Sequence, residues 1–213
     1  MKKAFLIVFC LVMASQSGFS QVGLWTKFSL EKELFKKLDF EVTGQYRVNE
    51  FGSNEERWIG EAGLIYDLPK GFELEAFYRY VSNIKTNSTK VYHRFHTDLK
   101  YGKKINSFIK VENRLRYQHQ YKDDQEDGLV DDSSYLRNKI GLEFDTQSRF
   151  KPAIAADLFY ELGGGLDQVR YSAELSYKLN KRNKIEVGFL IDDTLKSTQK
   201  NQYRIALSYS IKL

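Results

Sequence analysis

Between Phe108 and Asp145 the chain alternates apolar and charged residues twice, on either side of an acidic loop. In the first run Ile109, Val111, Leu115 and Tyr117 share one parity, and Lys110, Glu112, Arg114 and Arg116 share the other. In the second, Leu136, Ile140, Leu142 and Phe144 alternate with Arg137, Lys139, Glu143 and Asp145. A β-strand places every second side chain on the same face, so each run forms a strand with one greasy and one charged face. Both runs are long enough to cross a bilayer when tilted, for which roughly 9–11 residues suffice. Repeated along the chain, the pattern predicts an all-β fold: an antiparallel, up-and-down transmembrane β-barrel of about ten (10–12) strands.

The chain's beginning predicts its compartment. Lys2 and Lys3 precede a short apolar core, Ala4 to Met13, and a small and polar stretch, Ala14 to Ser20. That is the pattern of a secretory signal peptide over residues 1–20, cut before Gln21, with the barrel domain over 21–213. The apolar run is too short for a membrane-spanning helix, which needs roughly 18 residues or more. The single cysteine, Cys10, falls inside the leader, so the mature chain is expected to hold no disulfide and no cysteine metal site. Losing Lys2 and Lys3 leaves 31 basic against 28 acidic residues, a net charge of +3. These charges alternate in sign along strands instead of clustering, which argues against nucleic acid as a partner. Mean hydropathy is negative. With no later apolar run this excludes a helical membrane protein, but in a barrel lumenal charges offset the lipid-facing residues.

Taken in order, Leu24–Glu33 alternates weakly, and Leu38–Asn49 clearly, with Phe40, Val42, Tyr46 and Val48 opposite Glu41, Gln45 and Arg47. Further runs lie at 58–68, 72–80, 93–101, 154–162, 169–179, 185–191 and 203–213, separated alternately by tight turns and by longer loops at 50–55, 82–90, around 163–165 and up to about 200. This gives ten clear strands. An eleventh over 24–33 would start on the outside, which a closed antiparallel barrel with periplasmic ends does not allow. Either a strand is missed or that segment is partial or lumenal.

Periodicity alone does not say which face points inward, since a lipocalin-like barrel would invert the reading. Tyrosines near the ends of the apolar faces (Tyr46, Tyr66, Tyr78, Tyr80, Tyr101, Tyr117, Tyr171, Tyr177) match aromatic girdles. The alternation from Tyr203 to Leu213 resembles the signal read by the barrel-insertion machinery of the outer membrane. The expected location is therefore the outer membrane of a Gram-negative cell, with its lipids as partners. Leu24-Trp25-Thr26, Gln45-Tyr46-Arg47, Tyr78-Arg79-Tyr80, Arg114-Leu115-Arg116 and Leu136-Arg137 resemble an uncharacterised bacterial outer-membrane barrel family, domain of unknown function 2490, across essentially the whole mature chain. The resemblance implies an outer-membrane location and carries over no activity.

On this reading, arginines face the lumen near the external end of most strands: Arg47, Arg57, Arg79, Arg94, Arg116, Arg137, Arg170 and Arg204. Lumenal acids such as Glu61, Glu75, Asp98 and Glu143 lie deeper, and Glu161 and Asp192 break the upper pattern. Cross-lumen pairing would close a narrow barrel, since buried charges persist only when paired. Left unpaired, a ring of basic side chains would select anions. The acidic run Asp123, Asp124, Glu126, Asp127, Asp131 and Asp132 is a candidate plug docking onto that ring, or else a solvated loop. Its Asp123-x-Gln125-x-Asp127-Gly128 start mimics a calcium loop, but Ser134 stands where the bidentate glutamate belongs, so no metal is expected. No cofactor fingerprint is present. His93, His119, Ser134, Asn113 and Asn138 share the lipid-facing parity, and polar groups there are costly. The sequence thus predicts a non-enzymatic barrel, a narrow or loop-plugged pore for small polar or anionic solutes or a structural barrel. Outer-leaflet lipid hydrolysis by Ser134 and a rim histidine is the second reading.

Overall fold

The computed structural model describes residues 22–49, 55–124, 126–196 and 201–213, so the expected leader lies outside the described residues. Eleven strands form one closed barrel: β1 (Val22–Phe35), β2 (Leu38–Val48), β3 (Glu56–Asp67), β4 (Phe72–Lys85), β5 (Ser88–Lys104), β6 (Ile109–Asp124), β7 (Gly128–Phe144), β8 (Phe150–Glu161), β9 (Gly165–Lys178), β10 (Asn183–Thr194) and β11 (Gln202–Lys212). Each strand pairs antiparallel with its sequence neighbour, and the weak first segment is a full strand. It closes the barrel by pairing parallel with β11, from Val22 opposite Tyr203 to Glu31 opposite Lys212. This answers the topological objection raised by the sequence, because an odd strand count closes once one pair is parallel. The seam is tied by Ser29 Oγ to Ser210 Oγ at 3.0 Å and by Leu213 N–H to the Glu31 carbonyl at 2.8 Å. With no edge left open, the ladder satisfies the backbone internally, the condition for a sheet surrounded by lipid.

The turns at one rim are short and locally encoded. Lys36–Lys37 joins β1 to β2 with Lys37 at φ 72°, and Pro69–Gly71 forms a tight turn in which Lys70 (φ 63°) and Gly71 (φ 82°) are left-handed. The Asn106 side-chain carbonyl accepts the N–H groups of Phe108 and Ile109, and Asn180 does the same for Arg182 and Asn183, closing Asx-type turns. At the opposite rim the hairpins are longer than periodicity predicts. The expected loop at 82–90 narrows to Thr86–Asn87, and the ladder flanking the acidic loop continues to Asp124 opposite Gly128, because both ladders run past the apolar belt. There both faces meet water, so the alternation that marks a strand disappears while the pairing persists.

The radial distribution is inside-out relative to a soluble protein. Trp58, Phe95 and Ile140 are about half exposed on the outside, whereas Asp98, Thr43 and Asp192 are almost fully buried inside. Aromatic pairs edge the apolar belt at both rims, Tyr46 with Trp58 and Tyr78 with Phe95 at one, Phe72 with Tyr101 and Phe150 with Tyr177 at the other.

Candidate functional site in the lumen

One half of the lumen is the more solid, holding most of the buried inward side chains. Along β3 to β8, Ile59, Ile65, Phe77 and Val81 pack among buried ion pairs. Asp98, fully enclosed, takes a two-pronged bond from Arg116, at 2.6 Å to each oxygen. Glu61 pairs with Arg79, and Lys100 bridges Glu73 and Glu75. Asp157 holds Arg137 and, at 3.0 Å, Arg114. Gly63 makes room for Phe77, whose ring a Cβ at that position would strike. His96 lies flat on Phe77, with ring centroids 5.4 Å apart, and does not enter the ion pairs. Bidentate geometry of this kind is what offsets desolvation of buried charge.

The other half carries more small side chains and is the more open, although Trp25, Leu190, Arg170 and Arg204 also point into it. Ser172, Gly188, Ala206 and Ser208 border a cavity of about 690 Å³ towards the loop rim. Ser29 and Ser210 border a second, of about 790 Å³, towards the turn rim. The two share Lys27, whose ammonium sits 3.5 Å from Glu41. The upper cavity is lined by eleven basic and seven acidic side chains, and the lower by seven basic and two acidic. Both ends of the open half are therefore positive.

All eight arginines expected in the lumen border the upper cavity. Six of them stand as directly opposed like-charge pairs across adjacent strands: Arg47 with Arg57, Arg79 with Arg94, Arg116 with Arg137. Such pairs are destabilising unless compensated. Compensation is uneven. Arg79, Arg116 and Arg137 have the carboxylates named above, and Arg170 and Arg204 share Asp192. Arg47, Arg57 and Arg94 bond only to the amide oxygens of Gln45, Asn83 and Gln120, and no described carboxylate lies within 4.0 Å of them. The guanidinium of Arg47 stacks 3.9 Å above the Trp25 ring, with those of Arg170 and Arg204 at 4.8 Å. Trp25 Nε1, Gln168 Nε2 and the Nε of Arg114, Arg137 and Arg204 are buried donors without a hydrogen-bond partner among the described residues, against a single such buried acceptor in this cavity, Asp157 Oδ1.

The acidic run is not docked on the arginines. Asp123 and Asp124 end β6, Asp131 and Asp132 belong to β7, and Glu126 and Asp127 lie in the exposed turn between them. Lys122 bonds Asp124 at 2.8 Å, and only Asp132 reaches the cavity, where it accepts from Gln120 Nε2 at 2.7 Å. The reason is that the segment is a hairpin with its own ladder, which holds it upright as an extension of the wall. Among the described residues no group of three or more metal-ligating side chains converges. Sequence reasoning singled out neither Arg114 nor Trp25 as a lining residue. Both had the inward parity that could have identified them. Glu161 and Asp192, which broke the expected pattern, pair with Lys196 and with the Arg170–Arg204 couple.

The solved structure of the KdgM porin in complex with disordered oligogalacturonate is similar in fold, with a TM-score of 0.50 and 14% sequence identity. The likeness covers 84% of this chain and 86% of that one. No curated protein matches the chain. The family model described as a protein of unknown function (DUF2490) matches residues 22–204, and the chain belongs to that family.

Proposed function

We propose that the protein is an outer-membrane barrel that conducts small anions along the open half of its lumen. The apolar, aromatic-edged exterior suits a bilayer, and the fold is shared with a porin. The observation that carries the reading is the pair of cavities, each with a surplus of positive charge, that share Lys27. Eight strands leave the interior of a barrel filled and sixteen leave a channel, so eleven strands with half the lumen packed leave a narrow passage. Rings of basic groups favour anions at such a constriction. The preferred solute is rich in acceptors, a carboxylate or phosphate of small size, because the buried donors left without a partner along the upper cavity outnumber the buried acceptors so left. The porin of similar fold is described with a polyanion, oligogalacturonate, which agrees with this chemistry.

The test is the reversal potential of the refolded protein in a planar bilayer under a potassium chloride gradient. An anion-selective potential is expected, moving towards cation selectivity when Arg57 and Arg94 are both replaced by Glu. A cation-selective wild type, or no discrete conductance from a folded barrel, would overturn the proposal.

A further inference from the structure

On the outer face of the barrel, at the loop rim, three side chains form a chain of hydrogen bonds. The Ser134 hydroxyl lies 2.5 Å from His119 Nδ1, and His119 Nε2 lies 3.2 Å from Asp131 Oδ1. The arrangement depends on a break in the β6–β7 ladder. Gln120 is opposite Ser133, but Tyr121 is opposite Asp131, so Asp132 is an extra residue. This bulge turns Asp132 to the lumen, where it meets Gln120, and leaves Asp131 on the outside with His119 and Ser134. In unbroken alternation Asp131 would share the inward parity of Ser133. Bulges of this kind re-aim side chains next to functional sites.

We propose that Ser134, His119 and Asp131 hydrolyse an acyl ester of a membrane lipid at the outer surface. With the Nε2–H tautomer fixed by Asp131, His119 Nδ1 is the base for the Ser134 hydroxyl proton. Ser134 Oγ attacks the ester carbonyl, and the proton passes to Nδ1. The carbon–oxygen bond to the alcohol breaks, and that oxygen takes the proton from His119. Water then attacks the acyl-serine through the same base, releasing the fatty acid and restoring the hydroxyl. The Asp131 side chain is 80% exposed, which places the triad where water reaches it. Below it the exposed Phe95, Tyr117 and Leu136 offer an apolar apron for acyl chains. The His119 ring is held by the edge of Tyr121, with centroids 4.4 Å apart. Asp131 acts through His119 and is a positioning residue. Because it is solvated, its removal is expected to cost less than the roughly 10,000-fold seen where the acid is buried.

The test combines labelling and turnover in detergent micelles containing phosphatidylglycerol. A fluorophosphonate is expected to add once to the folded barrel, at Ser134, and fatty acid is expected to be released. Ser134→Ala removes both, and His119→Ala lowers turnover by about 100-fold or more. Asp131→Asn lowers kcat by roughly tenfold with KM unchanged, whereas Asp131→Glu restores it. Ser133→Ala, on the lumenal side, leaves turnover intact. A folded wild type that neither labels nor releases fatty acid, or activity that survives Ser134→Ala, overturns the proposal. The pore reading is tested separately, because Ser134→Ala is expected to leave conductance unchanged.

Discussion

The two halves of the lumen share the same strand geometry and differ in what fills it. From β3 to β8 the inward positions carry long charged or bulky side chains that meet in pairs, such as Asp98 with Arg116 and Asp157 with Arg137. From β9 through β11 to β1 the corresponding positions include Ser172, Gly188, Ala206, Ser208, Ser210 and Ser29, which border the two cavities. The arginines do not divide along the same line: Arg170 and Arg204, on β9 and β11, share Asp192, whereas Arg57 and Arg94, on β3 and β5, meet no described carboxylate. A guanidinium with a carboxylate partner is neutralised within the wall, whereas one that meets only an amide oxygen keeps its charge uncompensated.

The largest effect should come from breaking the solid half. Asp98→Ala leaves Arg116 buried without its acid and is expected to destabilise the refolded barrel by roughly 3–5 kcal/mol. Urea unfolding in detergent measures this. Pairing Asp98→Ala with Arg116→Met should recover most of the loss, since removing both charges avoids an unpaired one. A milder effect is expected at the positive rim. Arg47→Gln removes a charge that has no described acid partner, so stability should change by about 1 kcal/mol or less while anion selectivity falls. The smallest effect is expected from the acidic hairpin. Neutralising Asp123, Asp124, Glu126 and Asp127 should leave conductance nearly unchanged and raise anion preference slightly, because these groups stand above the passage. A large rise in conductance would mean that the hairpin folds inward in the membrane.

The alternating segments made the barrel legible, because a sheet between lipid and a polar lumen writes its two environments into odd and even positions. The inward arginines were legible for the same reason. Barrel closure was not, since Ser29 meets Ser210 through a pairing that no local pattern encodes. Nor was the division of the arginines, because whether Arg170 finds an acid depends on the register that sets Asp192 opposite it. The hairpins beyond the apolar belt were read as loops because their two faces share one solvent. The histidine and serine of the outer face could be read from parity. Asp131 could not, because the bulge at Asp132 reverses its side.

The central claim, that solutes pass along the small-residue wall, is tested most directly by cysteine accessibility under current recording. The only cysteine, Cys10, is absent from protein refolded from Gln21 onward, so introduced thiols report alone. Ser208→Cys, at the level of Lys27, should react with a negatively charged thiosulfonate from either side and lose most of its current. His96→Cys, inside the solid half, should remain unreactive and conduct normally. Current that is insensitive at position 208, or blocked at position 96, would contradict the account.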